Sequence, residues 1–153
     1  MNERKYMILV QPTEFNKYET ELIDRIIVLD MRGKILLDDN FNCNTYRFVR
    51  QLLLLECELI TYNGTLLSNM IYCYWNFENP NILDLMDKFS YVYQEENSWD
   101  SWYCDNPYRW QKLQTSLRYY HVKNFIVNIY NPHEVIKKTL TLYRKMKMKG
   151  DIK

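Results

Sequence analysis

The sequence predicts an α/β fold in which three antiparallel strands open a mixed sheet and helices flank it. Three observations carry this. Tyr6, Met7, Ile8, Leu9 and Val10 form a near-continuous apolar run closed by Pro12, the pattern of a strand buried on both faces rather than one alternating between core and water. Ile23 to Asp30 is a second β-branched and aliphatic run, and Met31-Arg32-Gly33-Lys34 is a turn into a third, Ile35-Leu36-Leu37. After these, the apolar spacing becomes helical, broken by one short β-prone stretch.

Asn44-Thr45 is a helix start, with Phe48, Val49, Leu52, Leu53 and Leu55 at helical spacing through Glu56. Glu58-Leu59-Ile60-Thr61-Tyr62 is a short strand ending at Asn63-Gly64, two residues that tolerate positive φ and so suit a tight turn. Thr65 to Tyr72 is expected to be a short helix. The pattern breaks between Trp75 and Pro80, after which Ile82, Leu83, Met86, Phe89 and Tyr93 mark another helix. Glu95 to Pro107 has no period and is expected to be a loop pinned to the core by its aromatics.

Trp110, Leu113, Leu117 and Tyr120 fall on one helical face. Phe125 to Ile129 is either a buried connection or a short edge strand. Pro132 suits a first helical turn, and Val135, Ile136, Leu140, Tyr143 and Met146 form the inner stripe of a final helix. Arg144, Lys145, Lys147 and Lys149 end it, where positive charge is favourable. The sheet expected from this order is mixed and five-strand-like.

The chain has 153 residues, enough for one domain that buries most of its apolar surface. Nothing divides it, so residues 1–153 are expected to form a single domain with a basic tail at about 147–153. Twenty Lys and Arg stand against nineteen Asp and Glu. A protein gripping a long stretch of phosphates is usually more basic. The four cysteines, Cys43, Cys57, Cys73 and Cys104, form no C-x-x-C pair, which argues against zinc and for reduced, mostly buried thiols. The wholly apolar runs, Leu52 to Leu55 among them, are too short to span a bilayer. A soluble, cytoplasmic protein without a cofactor is expected.

Several words of the sequence, in order, are Asp30-Met31-Arg32-Gly33-Lys34-Ile35-Leu36, Tyr62-Asn63-Gly64, Asp84-Leu85-Met86 and Tyr108-Arg109-Trp110-Gln111-Lys112-Leu113, followed by a helix that begins near His133. With the element order, they resemble the DEDDh 3′–5′ exonuclease family, proofreading-subunit-like nucleases of ribonuclease H-like fold. The likeness covers roughly Tyr6 to Met146. It implies four carboxylates holding two divalent cations, because hard oxygen ligands must fix the metals that stabilise the attacking and leaving oxygens. It also implies a histidine that orients or deprotonates water.

Residue by residue, those ligands are missing. The family's Asp-x-Glu-Thr word falls on Val10-Gln11-Pro12-Thr13, and no Asp or Glu lies between Lys5 and Thr13. Leu67 stands where the next Asp is implied, and Lys138 where the last is, five residues after His133. Methyl groups offer no lone pair, and an ammonium repels a divalent ion. Glu14 and Glu19 are expected to be solvated loop residues rather than substitutes. The resemblance therefore implies a degenerate member with no catalytic residue, no metal and no enzymatic activity; the alternative is an active metal-dependent exonuclease with non-standard ligands.

Other chemistry has no support in the residues. Three glycines make no phosphate-cradling loop, and His121 and His133 are far apart. Two binding classes remain. A nucleic-acid surface would use Arg109 and Lys112, Lys137 and Lys138, with Trp110 available for stacking; the bland alternatives are a core tryptophan and solvated lysines. A protein or nucleoprotein partner would be met by Trp99, Trp102 and Tyr103 in an acidic aromatic loop. The near-neutral charge favours the protein partner. A viral or mobile-element inhibitor of a nucleic-acid-handling complex is one setting such a module would suit.

Overall fold

The computed structural model describes residues 4–12, 23–96 and 106–153. Strands β1 (Lys5–Pro12), β2 (Ile23–Leu29), β3 (Ile35–Asn40), β4 (Glu58–Thr61) and β5 (Ile82–Asp84) form one sheet in the order β3-β2-β1-β4-β5. β1 pairs antiparallel with β2 and β2 with β3, while β1–β4 and β4–β5 are parallel. The sheet is therefore mixed, with the apolar first strand at its centre. Helices α1 (Cys43–Leu54), α2 (Gly64–Trp75), α3 (Leu85–Tyr93), α4 (Leu113–Tyr119) and α5 (Pro132–Lys149) flank it.

The middle of β1, Tyr6 to Val10, and the end of β2, Ile26 to Leu29, are apolar because both faces are covered. Met7, Ile27 and Leu29 pack against α3, α4 and α5 through Phe89, Leu117, Ile136 and Leu140. Ile8, Val10, Ile26 and Val28 pack on the other side against α1 and α2, through Val49, Leu53, Leu67 and Ile71. Burying each such side chain contributes roughly 1.5–3 kcal/mol. Successive residues of one strand thus feed two cores, as side chains on a pleated strand must.

Local chemistry sets the boundaries. Asn42 caps α1, accepting from the Asn44 and Thr45 amides while the Thr45 hydroxyl accepts from the Asn42 amide. The helix therefore begins two residues before the Asn44-Thr45 start expected from sequence. The stretch Ile82–Asp84, expected to lie within a helix, is instead the parallel edge strand β5, and Asp84 ends it by capping α3. Trp110 was expected on a helical face. It lies outside α4, because Lys112 is extended and the Arg109 amide donates to the Glu95 carbonyl at 2.7 Å, beside a Glu96–Tyr108 bridge. The stretch Phe125 to Ile129 is not a strand but a half-buried connection: Phe125 and Val127 pack against the core while Ile126 is 65% and Ile129 70% exposed.

Of the thiols expected to be mostly buried, Cys57 is, but Cys43 and Cys73 sit on exposed helix faces; Cys104 lies outside the described residues. The residues at 147–149 are the last turn of α5. Past Gly150, Asp151 accepts a 2.6 Å hydrogen bond from the Tyr120 hydroxyl and Ile152 is buried. Among the described residues, five other than glycine hold left-handed backbone, Glu56, Asn76, Asn79, Gln94 and His121; Asn76 and Gln94 are the C-caps of α2 and α3. Among the described residues, no helix is long and apolar enough to cross a membrane.

Candidate functional site

Strand order reverses between β1 and β4: β2 and β3 continue to one side, β4 and β5 to the other. In open α/β sheets the crevice at such a reversal is where ligands bind. A groove of about 290 Å³ lies there. Ile8, Leu9 and Val10 of β1 form its floor with Thr61 of β4, and Asn63, Leu66 and Leu67 wall it at the start of α2. Val135, Ile136 and Thr139 of α5 close a second wall, Val127 and Ile129 of the connection before α5 a third, and Lys112 stands at the mouth of α4.

The rim is fixed by hydrogen bonds. The Tyr62 hydroxyl donates to the Gln111 carbonyl and lies 2.6 Å from the Ser116 hydroxyl, locking its ring and tying the start of α4 to the groove. Burial pushes that phenol well above its ordinary pKa. Asn63 caps α2 by accepting from the Leu66 amide. The turn uses Gly64 for closeness rather than for positive φ: a Cβ there would lie 2.6 Å from the Cβ of Asp84. That closeness helps bury Asp84, and desolvation raises its carboxyl pKa from 3.8 to about 6, against opposing hydrogen bonds from the Asp87, Gly64 and Met86 amides.

A carboxyl whose folded pKa exceeds its unfolded one favours the folded state when protonated. Its stabilising contribution is thus complete below pH 4 and is lost as pH rises toward 6. A carbon-13 NMR titration of the aspartate carboxyls is expected to show Asp84 with a midpoint near 6. A midpoint below about 4.5 would contradict the burial argument.

No family model matches the sequence, and no curated protein matches it. Solved structures do. The catalytic unit of Neurospora crassa Pan2, comprising protease and nuclease domains, superposes with a TM-score of 0.64 at 14% identity, over 97% of this chain and 28% of that one. The Saccharomyces cerevisiae Pan2 pseudoubiquitin hydrolase–RNA exonuclease module, in complex with AAGGAA RNA, gives 0.62 at 14% identity, over 98% and 30%. Trypanosoma brucei RNase D gives 0.60 at 10% identity, over 95% and 57%. The fold is ribonuclease H-like and exonuclease-like. The chain spans less than a third of the Pan2 structures and somewhat over half of RNase D.

On this ribonuclease H-like frame, Val10 and Leu67 both line the groove. Pro12 ends β1 opposite Ile23. His133 and Lys138 are not among the groove residues. His133 reaches the β2–β3 side, its Nε2 3.1 Å from Asp38 Oδ2, and Asp38 also takes a 2.6 Å hydrogen bond from Arg25 Nε. Lys138 donates to Glu134 Oε1 at 2.9 Å and to the Ile126 carbonyl, so its charge is matched and it staples the connection to α5. Hydrogen bonding from Lys138 holds the Glu134 carboxyl below its ordinary pKa.

The other candidates are dispersed. Arg109 pairs with Glu95 at 3.7 Å, and Lys137 is exposed on α5. Trp110, weighed in the sequence as a core residue, is 41% exposed, its indole N–H 3.3 Å from Asp87 Oδ1. Of the basic candidates, only Lys112 reaches the groove. Trp99, Trp102 and Tyr103 lie outside the described residues, as do Thr13, Glu14 and Glu19.

Of the groove residues of α5, Val135 and Ile136 were legible only as core positions, and Thr139 was not singled out at all. Val127 and Ile129 carried a weak signal, an apolar stretch with no period before Pro132. Their place in a groove wall depends on the Lys138 staple. No local word announces it.

Proposed function

We propose that the chain is an exonuclease-like binding module, a degenerate relative of the DEDDh nucleases, that does not hydrolyse phosphodiesters and uses its groove to hold part of a protein or nucleoprotein partner. The observation that supports this best is the chemistry of the groove lining, in which aliphatic side chains stand where two divalent cations would require carboxylates. Among the described residues, the polar groups on the groove are hydroxyls of Thr61, Thr139 and Tyr62, the amide of Asn63 and the ammonium of Lys112. These do not fit a pair of divalent cations: neutral oxygens bind them weakly, and the ammonium repels them. Among the described residues, no three His, Cys, Asp or Glu side chains converge.

An aliphatic groove at the reversal of strand order remains a good receptor for apolar groups, since each buried methylene contributes about 0.8 kcal/mol. The direct test is incubation of the full chain with end-labelled single-stranded RNA and DNA, in Mg²⁺ and separately in Mn²⁺. No trimming is expected. Shortening from 3′ ends that follows the chain through successive purification steps would overturn the proposal.

A further inference from the structure

We infer that the groove and the exposed segment beside it form a docking surface for an acidic protein segment with aliphatic or aromatic anchor residues. The inference rests on the binding-module reading above and names the partner's chemistry. Its first support is apolar continuity. Ile129 lines the groove yet is 70% exposed, and its neighbours Ile126 and Tyr130 are 65% and 82% exposed. Contiguous apolar surface of this kind, rimmed by polar groups, marks interaction sites.

The second support is pre-organisation. The segment is held without being helix or strand: Lys138 donates to the Ile126 carbonyl, the Val127 amide reaches Gln114 Oε1 at 3.4 Å, and the Tyr130 amide donates to Asn128 Oδ1 at 3.1 Å. A surface already ordered loses little conformational freedom on binding.

The third support is charge. Residues 106–153 hold eleven of the twenty Lys and Arg but only two of the nineteen Asp and Glu, Glu134 and Asp151. The near-zero net charge therefore hides a basic third of the chain. Glu134 is occupied by Lys138 and Asp151 by the Tyr120 hydroxyl. Lys112 at the groove and exposed Lys123 and Lys137 form no ion pair among the described residues. A partner lying in the groove thus meets the unmatched charge of Lys112 beside an apolar trough, within a basic part of the chain, which selects for acidic residues flanking apolar ones. Single-stranded nucleic acid fits the charge but not the lining, because bases need aromatic platforms. Among the described residues that line the groove, Tyr62 is the one aromatic, and its hydroxyl is held by Gln111 and Ser116.

The test is selection of a phage-displayed library of random 16-residue peptides against the full chain, followed by fluorescence anisotropy of the enriched peptides. Enriched sequences are expected to be net acidic, with apolar residues at i, i+3 or i+4. Ile129→Ser, and separately Lys112→Glu, are expected to weaken them at least tenfold. Both positions are solvent-facing, and circular dichroism checks that the variants fold. Overturning results are enrichment of neutral or basic peptides, undiminished binding by these variants, no enrichment, or a 20-nucleotide oligo(U) that binds more tightly than any peptide. Trimming of that oligonucleotide in Mg²⁺ or Mn²⁺ would overturn the binding-module reading as well, whereas peptide failure without trimming removes only the acidic partner.

Discussion

Phe89→Ala is expected to lower the unfolding free energy by about 3–5 kcal/mol, the range for deleting a large aromatic from a packed core. Phe89 is fully buried and sits between α3, β1 and α4, with ring centroids 5.4 Å from Tyr119, 5.5 Å from Tyr93 and 5.9 Å from Tyr120. Tyr120 is anchored through its hydroxyl to Asp151, and Tyr93 and Tyr119 reach solvent, 42% and 46% exposed. They are poorly placed to collapse into the space, and incomplete collapse puts the cost at the upper end of the range. Phe89→Leu should cost much less, since most of the volume is kept. Urea unfolding of both variants measures this, and a loss below about 1 kcal/mol for alanine would show a core that yields easily.

Gly64→Ala is expected to cost about 1–3 kcal/mol, as overpacking does, despite the better helix propensity of alanine. The added methyl would lie 2.6 Å from the Cβ of Asp84 and 2.8 Å from its Cγ, so β5 and the start of α2 would have to separate. The cause can be isolated. Asp84→Gly removes the opposing carbon and keeps a tolerable helix cap, so the double variant is expected to be more stable than the two single losses would sum to. Strict additivity in the double-mutant cycle would remove the steric explanation. Gly64 directly follows the groove residue Asn63 at the start of α2, so Gly64→Ala should also weaken any ligand of Asn63 and Leu66.

Much of the sheet was legible because burial on both faces leaves a plain mark: β1 and β2 are apolar without alternation, and the turn at Gly33 separates β2 from β3. β5 was not. Three residues are too few to display a period, and Ile82 and Leu83 fit helical spacing with Phe89 equally well. Trp110 was misplaced because Leu113, Leu117 and Tyr120 set a helical phase that runs backward past the point where the backbone pairs with Glu95. At the groove, Val10 and Leu67 could be placed by resemblance alone, whereas Thr61, Val135, Ile136 and Thr139 come together only through the packing of α5 on the sheet beside β1.

The left-handed residues at Asn76 and Gln94 make the molecule improvable. A side chain in that backbone region costs roughly 1 kcal/mol that glycine does not, and with only three glycines in 153 residues the chain has kept both helix ends in the less comfortable form. Asn76→Gly and Gln94→Gly touch neither core nor groove. They give a route to a hardier protein with an unaltered surface at the groove, one that could absorb the losses of disruptive variants and let them be studied folded.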